Sequence, residues 1–236
     1  SEPRTALAIV ARVRDAVKPT VPLTVKMRRG LHDDAASEDL FWQILEGAFA
    51  LGVNAVCVHG RTVQQRYIGP ARRSFLAEVK RRFPARTILG SGDLFLASDA
   101  RDMLVDTHVD GVWLGRGAIG APWVFREIEH LLAHGTVAAP PSFALQRQAV
   151  WMHWRECVSA YGVELGARFF RAHAFKYAES HPACDDVKHA LHACRHAVDV
   201  EAMLRRFYDE ALRDDHFGPV APRTSPGQLV AAGACA

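Results

Sequence analysis

Four short apolar runs, separated by stretches of helical periodicity, dominate the pattern of hydrophobic and polar positions along the chain. The runs are Pro22–Arg28, Asn54–His59, Thr87–Gly90 and Gly111–Leu114. Continuous apolar runs of this length are typical of strands buried on both faces of a parallel sheet. Successive runs begin roughly 25 to 35 residues apart, the size of a βα unit with its return loop. The pattern therefore predicts four βα units, which amount to half of an eight-stranded α/β barrel.

The stretches around these runs predict helices and the limits of domains. Ser37 and Ser98 stand where N-caps are favoured, and Pro122 stands where a helix is expected to open. After Gly135 helical patterns follow one another with no strand between them. We therefore predict an α/β domain over residues 1–135, a linker over 136–142, an all-α domain over 143–213 and a disordered tail over 214–236.

Composition restricts the class of protein. Of 236 residues, 49% are hydrophobic and 23% are charged, as in ordinary globular proteins. No apolar run approaches the ~20 residues of a membrane helix, and five cysteines without close pairing favour a reducing compartment. We therefore predict a cytoplasmic protein with no membrane contact. The chain begins at Ser1 without Met, and we expect it to be part of a longer protein.

Basic side chains cluster along the chain although the formal net charge is only +3. One group lies on and around the helix predicted from Arg73 to Phe83, and another comprises Arg168, Arg171, His173 and Lys176 on a later helix. Such faces attract polyanions such as nucleic acid, but a solvated helix face has the same appearance. The histidines and cysteines between His181 and His196 lack a metal-ligand spacing, so no metal site is predicted.

Polar chemistry follows each predicted strand. Lys26 and His59 close the first two strands, Ser91-Gly92-Asp93 follows the third, and Gly115-Arg116-Gly117 follows the fourth. Glycine-rich turns let backbone amides approach a phosphate, and an arginine adds charge-assisted hydrogen bonds. Each turn alone also suits a tight βα connection, and the lysine and histidine alone suit an exposed strand end and a structural role. On consecutive strands the four segments together favour a phosphate-bearing ligand at one rim of the sheet.

These segments resemble a known family. Val25-Lys-Met-Arg-Arg-Gly30, Val58-His-Gly-Arg-Thr62, Gly92-Asp93 and Leu114-Gly-Arg-Gly-Ala-Ile-Gly-Ala-Pro-Trp-Val-Phe125 are similar to segments of the tRNA-dihydrouridine synthases. Tyr161-Gly162, followed by Arg168, Arg171-Ala-His173 and Lys176, is similar to the carboxyl-terminal domain of the bacterial B-type members. The resemblance covers roughly residues 20 to 212.

The resemblance implies a flavoprotein oxidoreductase with a TIM barrel and a helical tRNA-binding domain. The implied reaction reduces the C5–C6 double bond of uridine in tRNA with FMN as cofactor and NADPH as reductant. By resemblance, the chain corresponds to strands 5–8 of a (β/α)8 barrel followed by the helical domain. The implied FMN-binding residues are Lys26, His59, Ser91, Gly92, Asp93, Gly115 and Arg116, and the implied tRNA-binding residues are Arg61, Arg171 and Lys176.

Two departures from the family pattern qualify this expectation. The family usually has Asn where Ser91 stands, and its Asn-x-Gly-Cys-Pro segment, which carries the catalytic Cys, does not occur in this sequence. We therefore assign no catalytic residue here, expect the general acid in an upstream segment, and predict that this chain alone is inactive. It would pair with the missing half of the barrel or with another copy. The alternatives are an FMN-linked TIM-barrel oxidoreductase acting on a small molecule and a non-catalytic RNA-binding remnant.

Overall fold

The computed structural model describes residues 2–209, Leu212 and Ala221, so most of the tail predicted over 214–236 lies outside the described residues. The strands are β1 (Thr24–Arg28), β2 (Ala55–His59), β3 (Thr87–Ser91) and β4 (Gly111–Trp113). The helices are α1 (Pro3–Ala16), α2 (Ala35–Ala50), α3 (Arg73–Arg82), α4 (Ala97–Thr107), α5 (Val124–His134), α6 (Phe143–Tyr161), α7 (Val163–Ala178), α8 (Cys184–Ala193) and α9 (Ala197–Tyr208). None of the described helices is both long and apolar enough to cross a membrane.

Within the described residues the strands form one parallel sheet in the order β1-β2-β3-β4. Each strand pairs with the next one along the chain, as consecutive βα units require. The register places Lys26 beside Cys57 and Arg28 beside His59, and it places His59 beside Ser91. The prediction of an α/β protein with a four-stranded parallel sheet is confirmed.

Strand alternation gives the sheet two chemically different faces. Val56, Val58 and Ile88 are buried in one cluster with apolar side chains of α2 and α3, such as Leu45 and Leu76. Because successive side chains point to opposite faces, Cys57 and His59 of β2 lie on the other face. One face of the sheet therefore packs its apolar side chains against the helices. The polar residues of the strands lie together on the opposite face.

The described residues divide into two compact units. The first contains residues up to Leu94 together with Ser98–Gly115, and the second contains Phe95–Ala97 together with the residues from Arg116 onward. Each unit has its own buried core, formed in the second mainly by α6, α7, α8 and α9. The predicted domain limits at 135 and 143 stay a prediction.

Two glycines permit close backbone approaches in the second unit. A Cβ at Gly166 of α7 would lie 2.6 Å from the carbonyl oxygen of Cys157 in α6. A Cβ at Gly120, where φ is +72°, would lie 2.6 Å from the Cβ of Lys176 and would also overlap its carbonyl carbon. Real Cβ atoms do not tolerate such contacts, so both close approaches depend on glycine.

Three predicted helix starts are wrong. Helix α2 begins one turn earlier than Ser37, because the carboxylate of Asp34 accepts a hydrogen bond from the Ser37 backbone at 2.7 Å. A carboxylate at this end also interacts favourably with the helix dipole. Ser98 lies inside α4. Pro122 lies in a turn ahead of α5, whose N-cap is Trp123.

Candidate functional site

The carboxyl ends of β1, β2 and β3 bring the first group of predicted site residues onto one face of the sheet. Lys26 and Arg28 are two residues apart in β1, so their side chains lie on the same face of the sheet. Their partners in the register are Cys57 and His59. His59 in turn is the partner of Ser91, which is buried. Two positive side chains, one imidazole and one hydroxyl therefore share this face at the rim predicted from the sequence.

The His59 ring lies against the turn that follows β3. A Cβ added at Gly92 would lie 3.0 Å from His59 Cδ2 and 3.2 Å from Nε2, and 2.6 Å from the Cβ of Ala71. The Nε2 atom is buried and has no hydrogen-bond partner among the described residues. A buried polar atom without a partner costs free energy unless a ligand satisfies it.

The charge state of His59 follows from its surroundings. Burial, together with the positive charges of Arg28, Lys26 and Arg61, lowers the pKa of His59 to about 4, although Asp93 opposes the shift. The imidazole is therefore neutral at neutral pH, with one ring nitrogen able to donate and the other to accept a hydrogen bond.

The turn after β3 has an unusual backbone. Gly92 has φ +123° and the following residue, Asp93, has φ +53°. Left-handed conformations are rare outside glycine and cluster at functional sites, where the surrounding structure holds them. This turn brings backbone close to the His59 ring without an intervening side chain.

The buried Arg61 forms an ion pair with the partly exposed Asp93 of this turn. The Nη2 atom of Arg61 donates to both carboxylate oxygens of Asp93 at 2.7 Å, and Nε donates to the carbonyl of Gly69 at 2.9 Å. Asp93 also accepts a hydrogen bond from the backbone of Ala71 at 2.8 Å. Only 3% of Arg61 is exposed, and its Nη1 atom finds no partner in the described part of the chain. The structure thus places Arg61 inside the site, and its predicted contact with tRNA stays a prediction.

Two further arginines at the end of β1 organise the same loop, and sequence reasoning did not assign them a role. Arg28 donates to the carbonyl of Thr62 at 2.7 Å, and its guanidinium lies 5.8 Å from the centroid of the Tyr67 ring. Arg29 is buried and donates to Asp33 at 2.6 Å and to Gln65 at 2.9 Å. The signal for Arg28 was its spacing of two from Lys26, which places both side chains on one face of the strand.

The predicted phosphate-binding residues after β4 fall in different units. Gly115 belongs to the first unit, and a Cβ added there would meet no described atom within 4 Å. Arg116 belongs to the second unit, in the 3-10 turn Arg116–Ala118, where its guanidinium lies 5.3 Å from the centroid of the Phe95 ring.

The predicted tRNA-binding residues of the helical region lie on α7. Arg171 is half-buried and donates from Nη1 to the carbonyl of Cys194 at 2.8 Å. Lys176 is exposed and forms an ion pair with Glu179 at 2.5 Å. Arg168, one turn before Arg171, is also exposed. The helix therefore presents a basic face in the second unit.

The only cysteine on the β1–β3 face within the described residues is Cys57. Its thiol is buried, and burial raises its pKa even though the positive charge of Lys26 lowers it. A thiol with a raised pKa stays protonated and is a poor nucleophile. The face therefore offers an ammonium group, a neutral imidazole and a glycine turn, which suit the binding of an anionic, planar ligand.

Comparison with known proteins gives consistent results. Residues 1–212 match the family model described as dihydrouridine synthase (Dus). A probable tRNA-dihydrouridine synthase of Mycobacterium leprae is 33% identical over 220 residues, which cover 92% of this chain and 56% of that protein. The tRNA-dihydrouridine synthases B of Xanthomonas campestris pv. campestris and Proteus vulgaris are 33% and 31% identical, over 85% and 87% of this chain.

The chain spans only part of these relatives, namely 60% of the Xanthomonas protein and 63% of the Proteus protein. The family match nevertheless extends from the first residue through all described strands and helices. It includes the face that carries Lys26, His59 and Ser91, as well as the basic face of α7. The chain belongs to the dihydrouridine synthase family.

Proposed function

We propose that this chain binds FMN and tRNA as part of an enzyme that reduces the C5–C6 double bond of uridine in tRNA, with NADPH as reductant. The single observation that carries the proposal is the buried Nε2 atom of His59, which lacks a partner among the described residues and lies beside the glycine turn at Gly92. The names of the relatives, tRNA-dihydrouridine synthases, give the substrate class.

The residues present fit a flavin mononucleotide. Lys26 and His59 lie on one face of the sheet and would contact the isoalloxazine ring. Ser91, Gly92, Asp93 and Gly115 of the first unit would hold the ribityl chain and the phosphate, and the role of Arg116, in the second unit, stays a prediction. The carboxylate of Asp93 is already engaged by Arg61 and Ala71, so its contribution is to fix the left-handed turn. When bound, the flavin supplies the hydride for C6 of uridine.

The side chains of the chain itself bind and orient the ring. Lys26 is exposed, and its ammonium group would stabilise negative charge on a ring bound at this face electrostatically. The neutral imidazole of His59 completes its unsatisfied Nε2 hydrogen bond with a polar edge of the ring. The close packing of Gly92 against both His59 and Ala71 leaves no room for a side chain at this point of the turn.

Protonation of C5 needs a general acid, and no side chain described above is assigned that role. Cys57 is buried within the sheet, and its raised pKa fits a structural thiol. We therefore propose that the general acid lies in another segment and that the four strands are half of a TIM barrel. The chain alone is then expected to have no catalytic activity. The α6–α9 region is proposed to bind tRNA through Arg171 and Lys176.

A flavin titration of the purified chain tests the proposal. Wild-type protein is expected to quench the fluorescence of added FMN, and His59→Ala is expected to weaken that binding at least tenfold. His134→Ala, which changes an exposed histidine of α5, serves as the control. Absence of flavin binding, or equal binding by wild type and His59→Ala, contradicts the assignment of the site.

A second titration tests the nucleic-acid half of the proposal. Affinity for unmodified tRNA is expected to fall steeply as salt rises, because each neutralised phosphate releases counterions. Flavin binding without measurable tRNA binding at low salt would instead indicate an oxidoreductase that acts on a small molecule.

A further inference from the structure

An exposed aromatic pair marks the corner between α6 and α7. Tyr161 at the end of α6 is 54% exposed and Phe169 of α7 is 45% exposed. Their ring centroids are 4.7 Å apart, with an interplanar angle of 49°. Leu165, one helical turn before Phe169, is exposed on the same face of α7. Large apolar side chains grouped at the surface in this way mark an interaction site more often than scattered ones do.

This aromatic pair adjoins a basic cleft. The cleft has a volume of about 290 Å³ and lies between α7 and the junction of α8 with α9. Leu165 lines it and so connects the cleft to the aromatic pair. Its lining includes Glu164, Arg168, Arg171, Arg195 and His196.

The three arginines that line the cleft outnumber the described carboxylates at it, which are Glu164 in its lining and Asp199 beside Arg195 and His196. Arg171 and Arg195 both donate from Nη1 to the same carbonyl oxygen, that of Cys194, at 2.8 and 3.3 Å. Glu164 is the one carboxylate among the described lining residues, and it accepts a hydrogen bond from the backbone of Ala197 at 3.4 Å. Guanidinium groups brought this close together are stabilised by an anion that accepts from both, such as a phosphate.

We propose that this corner of the second unit binds one unpaired nucleoside of RNA, with the base stacked on the Tyr161–Phe169 pair and the adjacent phosphate in the arginine cleft. The inference rests on the proposed tRNA function and adds the part of the RNA that is recognised. A base inside a duplex cannot expose its face for stacking, so the surface selects a loop or another single-stranded segment. The convergent positive charge favours a polyanion over a protein partner as the occupant.

Binding of short RNA probes to the full chain tests the proposal. The probes are octauridylate, an abasic ribose-phosphate oligomer of the same length and charge, and a blunt RNA duplex. The aromatic variant combines Tyr161→Leu with Phe169→Leu, which keeps apolar bulk but removes both rings. The cleft variant combines Arg168→Gln with Arg195→Gln. The matched control combines Phe125→Leu with Arg205→Gln, an exposed aromatic and an exposed arginine elsewhere in the second unit.

The aromatic variant is expected to bind octauridylate about tenfold more weakly and the abasic oligomer unchanged, because stacking contributes per base. The cleft variant is expected to weaken both single-stranded probes and to reduce the salt slope of binding by about 0.7 per lost phosphate contact. Wild type and the aromatic variant are expected to have the same affinity for the duplex. The control variant is expected to bind all three probes as wild type does.

Other outcomes overturn the inference. If the aromatic variant loses affinity equally for octauridylate and the abasic oligomer, or loses affinity for neither, the aromatic pair does not stack on a base. A change from dimer to monomer in sedimentation with unchanged RNA affinity would identify the surface as a contact between protein molecules. If wild type binds whole tRNA while the aromatic variant retains full affinity for octauridylate, this inference fails and the proposed function stands. If wild type binds no tRNA, the proposed function fails and this inference with it.

Discussion

A single nitrogen of Arg61, Nη2, donates to both carboxylate oxygens of Asp93 at 2.7 Å, and so connects the loop after β2 to the turn after β3. The guanidinium is almost wholly buried, whereas the Asp93 side chain is 32% exposed. The pair holds Asp93 in its left-handed conformation and thereby fixes the glycine turn against His59.

Removing the negative charge of this pair is expected to destabilise the first unit. Asp93→Asn leaves the buried guanidinium of Arg61 without a counter-charge, and the expected loss is about 3 kcal/mol in the free energy of unfolding. Urea denaturation measures it. Arg101→Ala, which breaks the exposed pair between Arg101 and Asp102, is the control and is expected to change stability by less than about 0.5 kcal/mol. A loss for Asp93→Asn no larger than the control's would show that the pair is not structural.

Gly92→Ala is expected to reduce both stability and flavin binding. The added Cβ would lie 2.6 Å from the Cβ of Ala71 and 3.0 Å from the His59 ring, at a φ of +123°. Gly69→Ala is the matched control, because Gly69 also has positive φ (+68°) but no described atom within 4 Å of its added Cβ. The expected loss in the free energy of unfolding is about 1 kcal/mol for the control and at least about 2 kcal/mol for Gly92→Ala. Equal losses would mean that the close approach to His59 has no energetic consequence.

Gly115→Ala separates ligand contact from folding. The added Cβ meets open space among the described atoms, so the unfolding free energy is expected to stay within about 0.5 kcal/mol of wild type. If a phosphate approaches this backbone, the methyl group obstructs it and FMN affinity falls. Flavin fluorescence titration beside a urea melt measures both quantities. Unchanged affinity would remove Gly115 from the proposed site.

Gly120→Ala is expected to destabilise the second unit strongly. Gly120 and Gly135 have the same φ of +72°, but only the Cβ at Gly120 would overlap the backbone of Lys176. The difference between Gly120→Ala and Gly135→Ala therefore isolates the steric contact from the cost of the backbone conformation. We expect Gly120→Ala to lose at least about 2 kcal/mol more than Gly135→Ala in urea denaturation. Equal losses would argue against the close approach of this loop to α7.

Acidification is expected to destabilise the second unit because it protonates the buried His181. Burial lowers the pKa of His181 to about 4, although its hydrogen bond to Phe207 opposes the shift. Its Nδ1 accepts from the backbone of Ala183 at 2.9 Å and its Nε2 lies 3.1 Å from the Phe207 carbonyl, an arrangement that requires the neutral ring. In the unfolded chain this histidine binds a proton near pH 6.5, whereas in the folded chain it does so only near pH 4. Its contribution to stability is therefore complete above pH 6.5 and decreases as the pH falls towards 4.

The pH dependence of urea midpoints checks this prediction. His181→Asn is expected to be less stable at pH 7 but to lose less on acidification than wild type does. His134→Asn, an exposed site, should keep the wild-type slope. The lowered pKa of His59 contributes in the same direction in the first unit, so part of the slope is expected to remain in the whole chain. An unchanged slope in His181→Asn would rule out this histidine as the source.

The strands were predictable because burial on both faces leaves a plain apolar run, as at Val56-Cys57-Val58. Lys26 and His59 were predictable at one rim because parallel strands end together. The starts of α2 and α4 were missed because capping depends on local geometry: Asp34 lies three residues before the Ser37 amide that it caps.

The role of Arg61 was the least predictable feature of the site. An arginine at the start of a loop indicates an exposed side chain, and no sequence pattern connects it with a carboxylate 32 residues later. Gly and Asp adopt the left-handed region more readily than most residues, so a turn at Gly92 and Asp93 is compatible with its sequence. The contact of that turn with Arg61 is a tertiary feature that the sequence does not indicate.

The register that sets Lys26 beside Cys57 and Arg28 beside His59 makes the length of β1 a strict requirement. Insertion of one residue within this strand would rotate every later side chain to the opposite face, sending Arg28 towards the apolar cluster and Met27 towards the ligand. The loops around the site can change length without that effect. Natural variation in this family is therefore expected to fall between the strands and to leave the number of residues within them constant.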